Sequence, residues 1–271
     1  MDDADSVAIA ARTTGAFAPA INAGLGDAVV VHLKPDGVVD WTEQFGTTAD
    51  DVGHSIAMSP AGLVYFVGYS EAVVEAGATN AGAFDMFVAR YESNGQRAWI
   101  RQRGSGANDK AQDATVDDTG NVWISGVTSA ALDGNTAFGS QDVFVMKFTA
   151  EGDWVLTRQY GSSASENTFG IDVDNKGQVY VSCNTTASFG GANVIGGSDV
   201  CVISLDSAGN ELWTTIVGTS ASDQASSCSV DVSNTGLIYV SAITDGNLDG
   251  GGARGLQDIA LIKFDSTGTE Q

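Results

Sequence analysis

Short runs of β-branched and aromatic residues alternate along the whole chain with clusters of Gly, Asp, Asn and Ser, and one such unit returns about every 57 residues. Three markers keep this beat. An aspartate opens an apolar run at Asp27 (DAVVVHL), Asp85 (DMFVARY), Asp142 (DVFVMKF), Asp199 (DVCVISL) and Asp258 (DIALIKF), in steps of 58, 57, 57 and 59. A glycine closes another run at Gly46, Gly104, Gly161 and Gly218. An aromatic sits mid-run at Tyr65, Trp123, Tyr180 and Tyr239. Independent markers sharing one period are the sequence sign of a repeat architecture.

Each unit reads as four strands. In the third, strand a is predicted over 111–117, strand b over 121–127, strand c over 142–148 and strand d over 154–160. Strands b and c are apolar on both faces, as in Val143-Phe144-Val145-Met146. Such a sheet must be covered on both sides, as a blade is by its neighbours. Links a–b and c–d are tight hairpins with glycine, such as Asp117-Asp118-Thr119-Gly120. Links b–c are long and rich in Gly, Ala and Asn, and links d–a cross to the next unit, so these two kinds share one face, the loop face. The expected fold is all-β: a β-propeller of four-stranded antiparallel blades with about five repeats, in one domain over 1–271. The repeats run over about 1–51, 52–109, 110–166, 167–224 and 225–271. No helix is predicted. The first unit lacks a strand a and the last a strand d, which predicts an incomplete or open ring, a larger propeller cut short, with unpaired terminal strands open to assembly.

The run Ser198-Asp199-Val200-Cys201-Val202, with Gly209-Asn210-Glu211-Leu212-Trp213, Gly218-Thr219-Ser220 and Gly236-Leu237-Ile238-Tyr239-Val240-Ser241, resembles the seven-bladed β-propeller repeat family of bacterial and some archaeal and algal surface or secreted proteins. The resemblance covers essentially the whole chain. It implies a propeller and supplies no catalytic residues. Two departures stand out: Ala8 replaces the strand-b aromatic of the first unit, and Leu156 holds the usual tryptophan register, with Trp154 two residues earlier.

Charge narrows the partners. Thirty-four acids against 12 bases give a formal net charge of −22, which repels nucleic acid and anionic membranes. A hydrophobic share of 43% and a mean hydropathy of +0.01 belong to a folded chain, and no apolar run approaches the ~18 residues of a spanning helix. The acidic start Met1-Asp2-Asp3-Ala4-Asp5 is unlike a signal peptide. The acidic surface suits a saline, extracellular or cell-surface setting and cation binding. Cys183, Cys201 and Cys228 are too few for a disulfide framework; a local Cys183–Cys201 bridge is one reading, and buried small apolar residues the preferred one.

Catalytic chemistry finds little support. His32 and His54 occupy positions that other repeats fill with Arg, Lys, Gln or Phe, so no triad or metal centre is indicated, and the expectation is that the chain is not an enzyme. Two carboxylate sets repeat on the loop face: the strand-opening aspartates, and Asp51, Asp109, Glu166 and Asp223, five residues beyond each closing glycine. The second set is the candidate metal site, with Ca²⁺ the one candidate cofactor; the simpler reading is that each acid caps its own turn and ties blades together. Asp172-Val173-Asp174-Asn175-Lys176-Gly177 resembles the opening of a calcium loop but sits where other units have a hairpin turn. Long loops that differ from copy to copy supply candidate binding residues: Asn184, Phe189 and Asn193 in 184–198, and Asp245, Asn247, Asp249 and Arg254 in 245–257. The preferred expectation is a non-catalytic surface scaffold presenting variable loops to a protein or glycan partner. The alternative is a calcium-dependent or lectin-like glycan-binding propeller.

Overall fold

In a computed structural model, described for residues 5–17, 20–230, 236–248 and 256–271, the chain is all-β. Five antiparallel sheets follow one another in sequence. The first contains β1 (Val7–Thr13), β2 (Asp27–Leu33) and β3 (Val39–Phe45). The second has β4 (Asp51–Met58), β5 (Val64–Ser70), β6 (Asp85–Tyr91) and β7 (Arg97–Arg103). The third has β8 (Asp109–Val116), β9 (Val122–Thr128), β10 (Asp142–Phe148) and β11 (Trp154–Tyr160). The fourth has β12 (Glu166–Val173), β13 (Val179–Thr185), β14 (Asp199–Leu205) and β15 (Glu211–Val217). The fifth has β16 (Asp223–Val230), β17 (Ile238–Thr244) and β18 (Asp258–Phe264). The third unit's strand a starts two residues earlier than the sequence pattern predicts, because its opening acid is already paired in the ladder with Thr128.

Each of the three middle sheets sends alternate side chains into two different cores, which is why its central strands are apolar throughout. Among the described residues four apolar clusters form, one at each joint between consecutive sheets. In β10, Val143 and Val145 pack toward the fourth sheet, while Phe144 and Met146 pack toward the second. Tyr65, Trp123 and Tyr180 are fully buried in these joints. Strands β4, β8, β12 and β16 touch in succession and so line the centre, as in an open propeller of about five blades. The fifth sheet's far face is uncovered: Ile259 is 89% and Leu261 70% exposed, where Val200 and Val202 at the same positions of β14 are 0%.

Eight of the nine repeated acids lie inside the joints; Asp258, in the last sheet, is half-buried. Asp27 and Asp51, Asp85 and Asp109, Asp142 and Glu166, and Asp199 and Asp223 are all buried, in pairs that straddle a joint. Each accepts hydrogen bonds from the turn before it, as when Thr47 N donates to Asp51 at 2.5 Å and Phe138 N to Asp142 at 2.8 Å. The closing glycine is demanded by space. A Cβ at Gly46 would meet both Asp27 and Asp51, one at Gly161 both Asp142 and Glu166, and one at Gly104 would overlap Asp85 Oδ1. Hairpin glycines answer to backbone shape instead: Gly120 has φ of 83° with nothing but Ala150 Cβ nearby. The 172–177 segment is such a hairpin, with Asp174 Oδ1 accepting from Lys176 N and Gln178 N at 2.9 Å.

Nearer the axis, two unrepeated carboxylates bolt three sheets together. Asp113 accepts from Ser55 Oγ of the preceding sheet (2.6 Å) and from Ile171 N of the following one (3.0 Å). Asp172 does the same with Thr115 Oγ1 (3.2 Å) and Val230 N (2.8 Å). The preference for reduced cysteines is corrected: Cys183 and Cys201 stand directly opposite on β13 and β14, Cα atoms 4.9 Å apart, and form a disulfide, which leaves Cys228 free.

Two measurements check this account. Gly104→Ala is expected to cost about 3 kcal/mol in urea unfolding, through overlap with a buried carboxylate, against about 1 kcal/mol for Gly120→Ala, which only strains φ; equal costs would refute the spatial role of the closing glycine. Burial raises the Asp113 carboxyl above its ordinary range despite its hydrogen bonds. Its contribution to stability is therefore complete below the unfolded value of about 3.9 and lost as pH rises through the higher folded value. Asp113→Asn should flatten that part of the stability–pH curve.

Candidate functional site

Blade-wide repetition marks what the scaffold needs, so positions that differ from blade to blade around the axis are where recognition is to be sought. The first strands provide two such positions. The residue after the joint acid is Val52, Lys110, Asn167 or Gln224. Two further on, each strand carries a β-bulge, where the register jumps between Gly53 and Ser55, Ala111 and Asp113, Thr168 and Gly170, and Ala225 and Ser227. The skipped residues are His54, Gln112, Phe169 and Ser226, and a bulge re-aims the side chain it leaves unpaired. On the second strands the varying position next to the loop face is Arg12, Tyr69, Val127, Asn184 or Ile243.

Around the mouth of the axis these positions bring together a cationic and aromatic group with Tyr69 at its hub. The Lys110 ammonium lies 4.9 Å from the centre of the Tyr69 ring and 4.4 Å from that of Phe84, two rings set edge-to-face at 5.2 Å. His54 lies 6.3 Å from Tyr69, ring to ring, and its Nδ1 is 2.7 Å from Gln112 O. Gln112 Nε2 in turn donates to Asn167 Oδ1 at 3.1 Å. On the other side Arg12 pairs with Asp50 at 2.5 Å. Burial raises the Tyr69 phenol above its ordinary value, the Asp50 charge adds to the rise, and Arg12 opposes it. Among the described residues no carboxylate lies within ion-pair distance of Lys110, in a chain with 34 acids. A half-buried ammonium held only by ring faces, with an imidazole packed on one of the same rings, is suited to an anionic ligand group.

The residues singled out from sequence are distributed differently. Asp51, Asp109, Glu166 and Asp223 sit at four separate joints and do not meet. Thr47, Ser105, Ser162 and Thr219 each donate both backbone N–H and hydroxyl to one of them. Among the described residues no group of three or more His, Cys, Asp or Glu converges as a metal site. Asn184 is buried and accepts from Ala225 N at 2.7 Å, and Phe189 packs on the core, so both serve the scaffold. Asn193, Asp245 and Asn247 are exposed on the loop face. Asp249 and Arg254 lie outside the described residues.

One constellation has the order of a catalytic triad: Ser6 Oγ is 3.0 Å from His32 Nε2, and Asp40 Oδ2 is 3.4 Å from Nδ1. Ser6 and His32 are only 3% and 5% exposed, and the imidazole lies flat against Trp41 at 5.0 Å. The hydroxyl is closed to a substrate, and the three side chains pack the hairpin end of the first sheet.

No family model matches the chain, and neither does any curated protein sequence. Solved structures do share its fold. A Bacteroides caccae protein of unknown function aligns over 89% of this chain and 75% of its own, at 11% identity and a TM-score of 0.50. A polysaccharide lyase of family PL25, an ulvan lyase bound to -[GlcA(1-4)Rha3S]-, aligns over 100% of this chain and 67% of its own, at 13% identity and a TM-score of 0.50. The class defined is a propeller-like array of repeated antiparallel blades, and it rests on the sheets and on these likenesses. The expectation that the chain is not an enzyme is corrected: the same fold carries a lyase, so the lack of a catalytic residue repeated in every blade does not separate this chain from enzymes.

With the joint acids engaged by their own turns, excess EDTA is expected to leave the melting temperature unchanged in calorimetry, and added Ca²⁺ not to raise it. A Ca²⁺-dependent rise abolished by Asp109→Asn would restore the metal reading.

Proposed function

We propose that the chain is a ligand-binding β-propeller that takes an anionic glycan at the mouth of its axis. The observation that carries this reading is Lys110: a half-buried cation with no carboxylate in ion-pair distance among the described residues, caged by Tyr69 and Phe84, with His54 packed on the Tyr69 ring. In a molecule of net charge −22 such a cluster is the local exception, able to hold the carboxylate or sulfate of an acidic sugar while the surrounding field turns other polyanions away. Tyr69 and Phe84 add ring surface for the apolar faces of a pyranose. Gln112 and Asn167 add amide donors and acceptors for its hydroxyls. A glycan also fits the extracellular or cell-surface setting, for which the Cys183–Cys201 bridge and the acidic surface speak. This keeps the recognition half of the sequence expectation and drops its claim of inactivity.

The test is an array of acidic and neutral glycans, followed by calorimetric titration of the best-bound acidic hexasaccharide. Lys110→Ala is expected to weaken binding about tenfold or more, Lys110→Arg to retain much of it, and rising salt to weaken it progressively. Acidic glycans that bind Lys110→Ala as tightly as the parent chain, or that bind neither, would remove the mouth as the site.

A further inference from the structure

Three of the blades use a tryptophan of the outer strand in the same way. Trp41, Trp99 and Trp213 each donate Nε1–H to a backbone carbonyl in the next blade's hairpin turn, at 2.9, 3.0 and 3.0 Å, to Ser93, Ala150 and Ser266. These indoles tie blade to blade. In the third blade Leu156 fills that register, packed in the joint at 8% exposure, and the tryptophan is displaced to Trp154 at the start of β11. There it makes no bond to the following blade, and 45% of its surface is open.

Its surroundings are built rather than incidental. Arg103 lies over the indole at 4.4 Å, and Trp154 Nε1 donates to Thr157 Oγ1 at 3.0 Å, so the ring is fixed in place. Arg103 is itself held by Asp133 at 2.5 Å, and Thr157 Oγ1 donates to the same carboxylate at 2.5 Å. Asp133 has φ of 52°, the left-handed region that a residue with a Cβ seldom enters. The loop bearing it is pinned from below by Leu132, fully buried, whose N–H donates to Gln159 Oε1 at 3.1 Å. The result is a shallow concavity of about 260 Å³ lined by Asp133, Asn135, Trp154, Thr157 and Arg158 among others. The Asp133 and Arg103 charges pair with each other, and the Arg158 guanidinium is turned onto the Thr157 and Ala208 carbonyls.

We propose that this concavity on the rim of the third blade is a second carbohydrate subsite, one that stacks an uncharged hexopyranose on Trp154. An open, rigidly held indole offers the flat apolar surface that the C–H face of a pyranose covers. Arg103 covers one face of the indole, which leaves the other for the sugar, and Asp133 and Asn135 line the same concavity as polar groups for its hydroxyls. What the concavity offers is an indole face rather than an ion caged by rings, and an uncharged pyranose is enough to cover it, in contrast to the axial mouth. The site does not rest on the reading of the mouth: it is carried by a different blade edge and a different ligand chemistry.

The test is a printed array of neutral hexose glycans, then titration of the best-bound neutral hexasaccharide into the full chain and three variants, with calorimetry and indole fluorescence as readouts. Binding is expected to fall at least tenfold in Trp154→Ala, to be retained in part in Trp154→Phe, and to be unchanged in Lys110→Ala. Melting temperatures of the variants confirm that each is folded. Neutral-glycan binding equal in Trp154→Ala and the parent chain, or none at all on the array, overturns the proposal. Binding lost in Lys110→Ala but kept in Trp154→Ala also overturns it and assigns the sugar to the mouth.

Discussion

Two buried carboxylates set against one glycine hold each joint between blades, and the rest of the molecule is arranged around that contact. A carboxylate taken out of water must be repaid in hydrogen bonds, and these acids obtain them chiefly from the N–H and hydroxyl groups of the turns that enter their own strands. The bond therefore fixes where a strand begins and how the preceding crossing reaches it. Two acids also need room to lie side by side, and no residue with a Cβ leaves it. The joints are not identical. Gln44 and Gln159 donate to Asp27 and Asp142 at 2.7 Å, and the matching place two residues before the closing glycine is Gln102 in the second sheet and Ile216, which has no donor to offer, in the fourth. At those last two joints Asp85, Asp109, Asp199 and Asp223 each keep one oxygen without a protein partner. Burial raises the Asp85 carboxyl, and the neighbouring Asp109 charge adds to the rise.

With the joints set by polar contacts, the apolar faces follow. Four clusters, each shared by two sheets, replace a single core, and the three middle sheets are buried on both faces because each has a neighbour on either side. Stability is then a chain of nearest-neighbour terms. Asp113 and Asp172, each reaching one blade back and one blade forward, extend the coupling to three blades at a time through the strands that line the axis.

Repeated features were legible in the sequence because repetition is how they act: the strand-opening acids, the closing glycines, the buried aromatics and the two-faced strands all appear where the period puts them. The candidate mouth was not legible, for a geometric reason. Tyr69 is next to last in one blade's second strand and Lys110 is second in the next blade's first, 41 residues apart by their numbers, and only the joint brings them together. His54 and Gln112 look like ordinary strand positions until a bulge leaves them unpaired. A signal did exist in the mismatch between copies: Val52, Lys110, Asn167 and Gln224 share a place and nothing else. Trp154 was visible as a departure from register, yet its release from joint duty follows only from the bonds that Trp41, Trp99 and Trp213 make. The cysteine pairing turned on register as well, since a residue's partner across a ladder depends on where the intervening loop closes.

Scaffold and candidate site are separated by a single residue. Asp109 is locked in a joint by Ser105, and Lys110, the next residue, stands at the mouth with its ammonium between two rings contributed by the preceding blade. The same contact that orients the strand thus orients the cation, without asking anything of Lys110 itself. That division lets a repeat protein keep its acid in every blade and vary the neighbour freely: valine, lysine, asparagine and glutamine occupy the place in turn, and the joint acid beside each remains buried. The varied side chains add contacts of their own across the joints, as Lys110 does on the rings of the preceding blade and Asn167 with Gln112, but the strand's starting point is already set by the acid beside them.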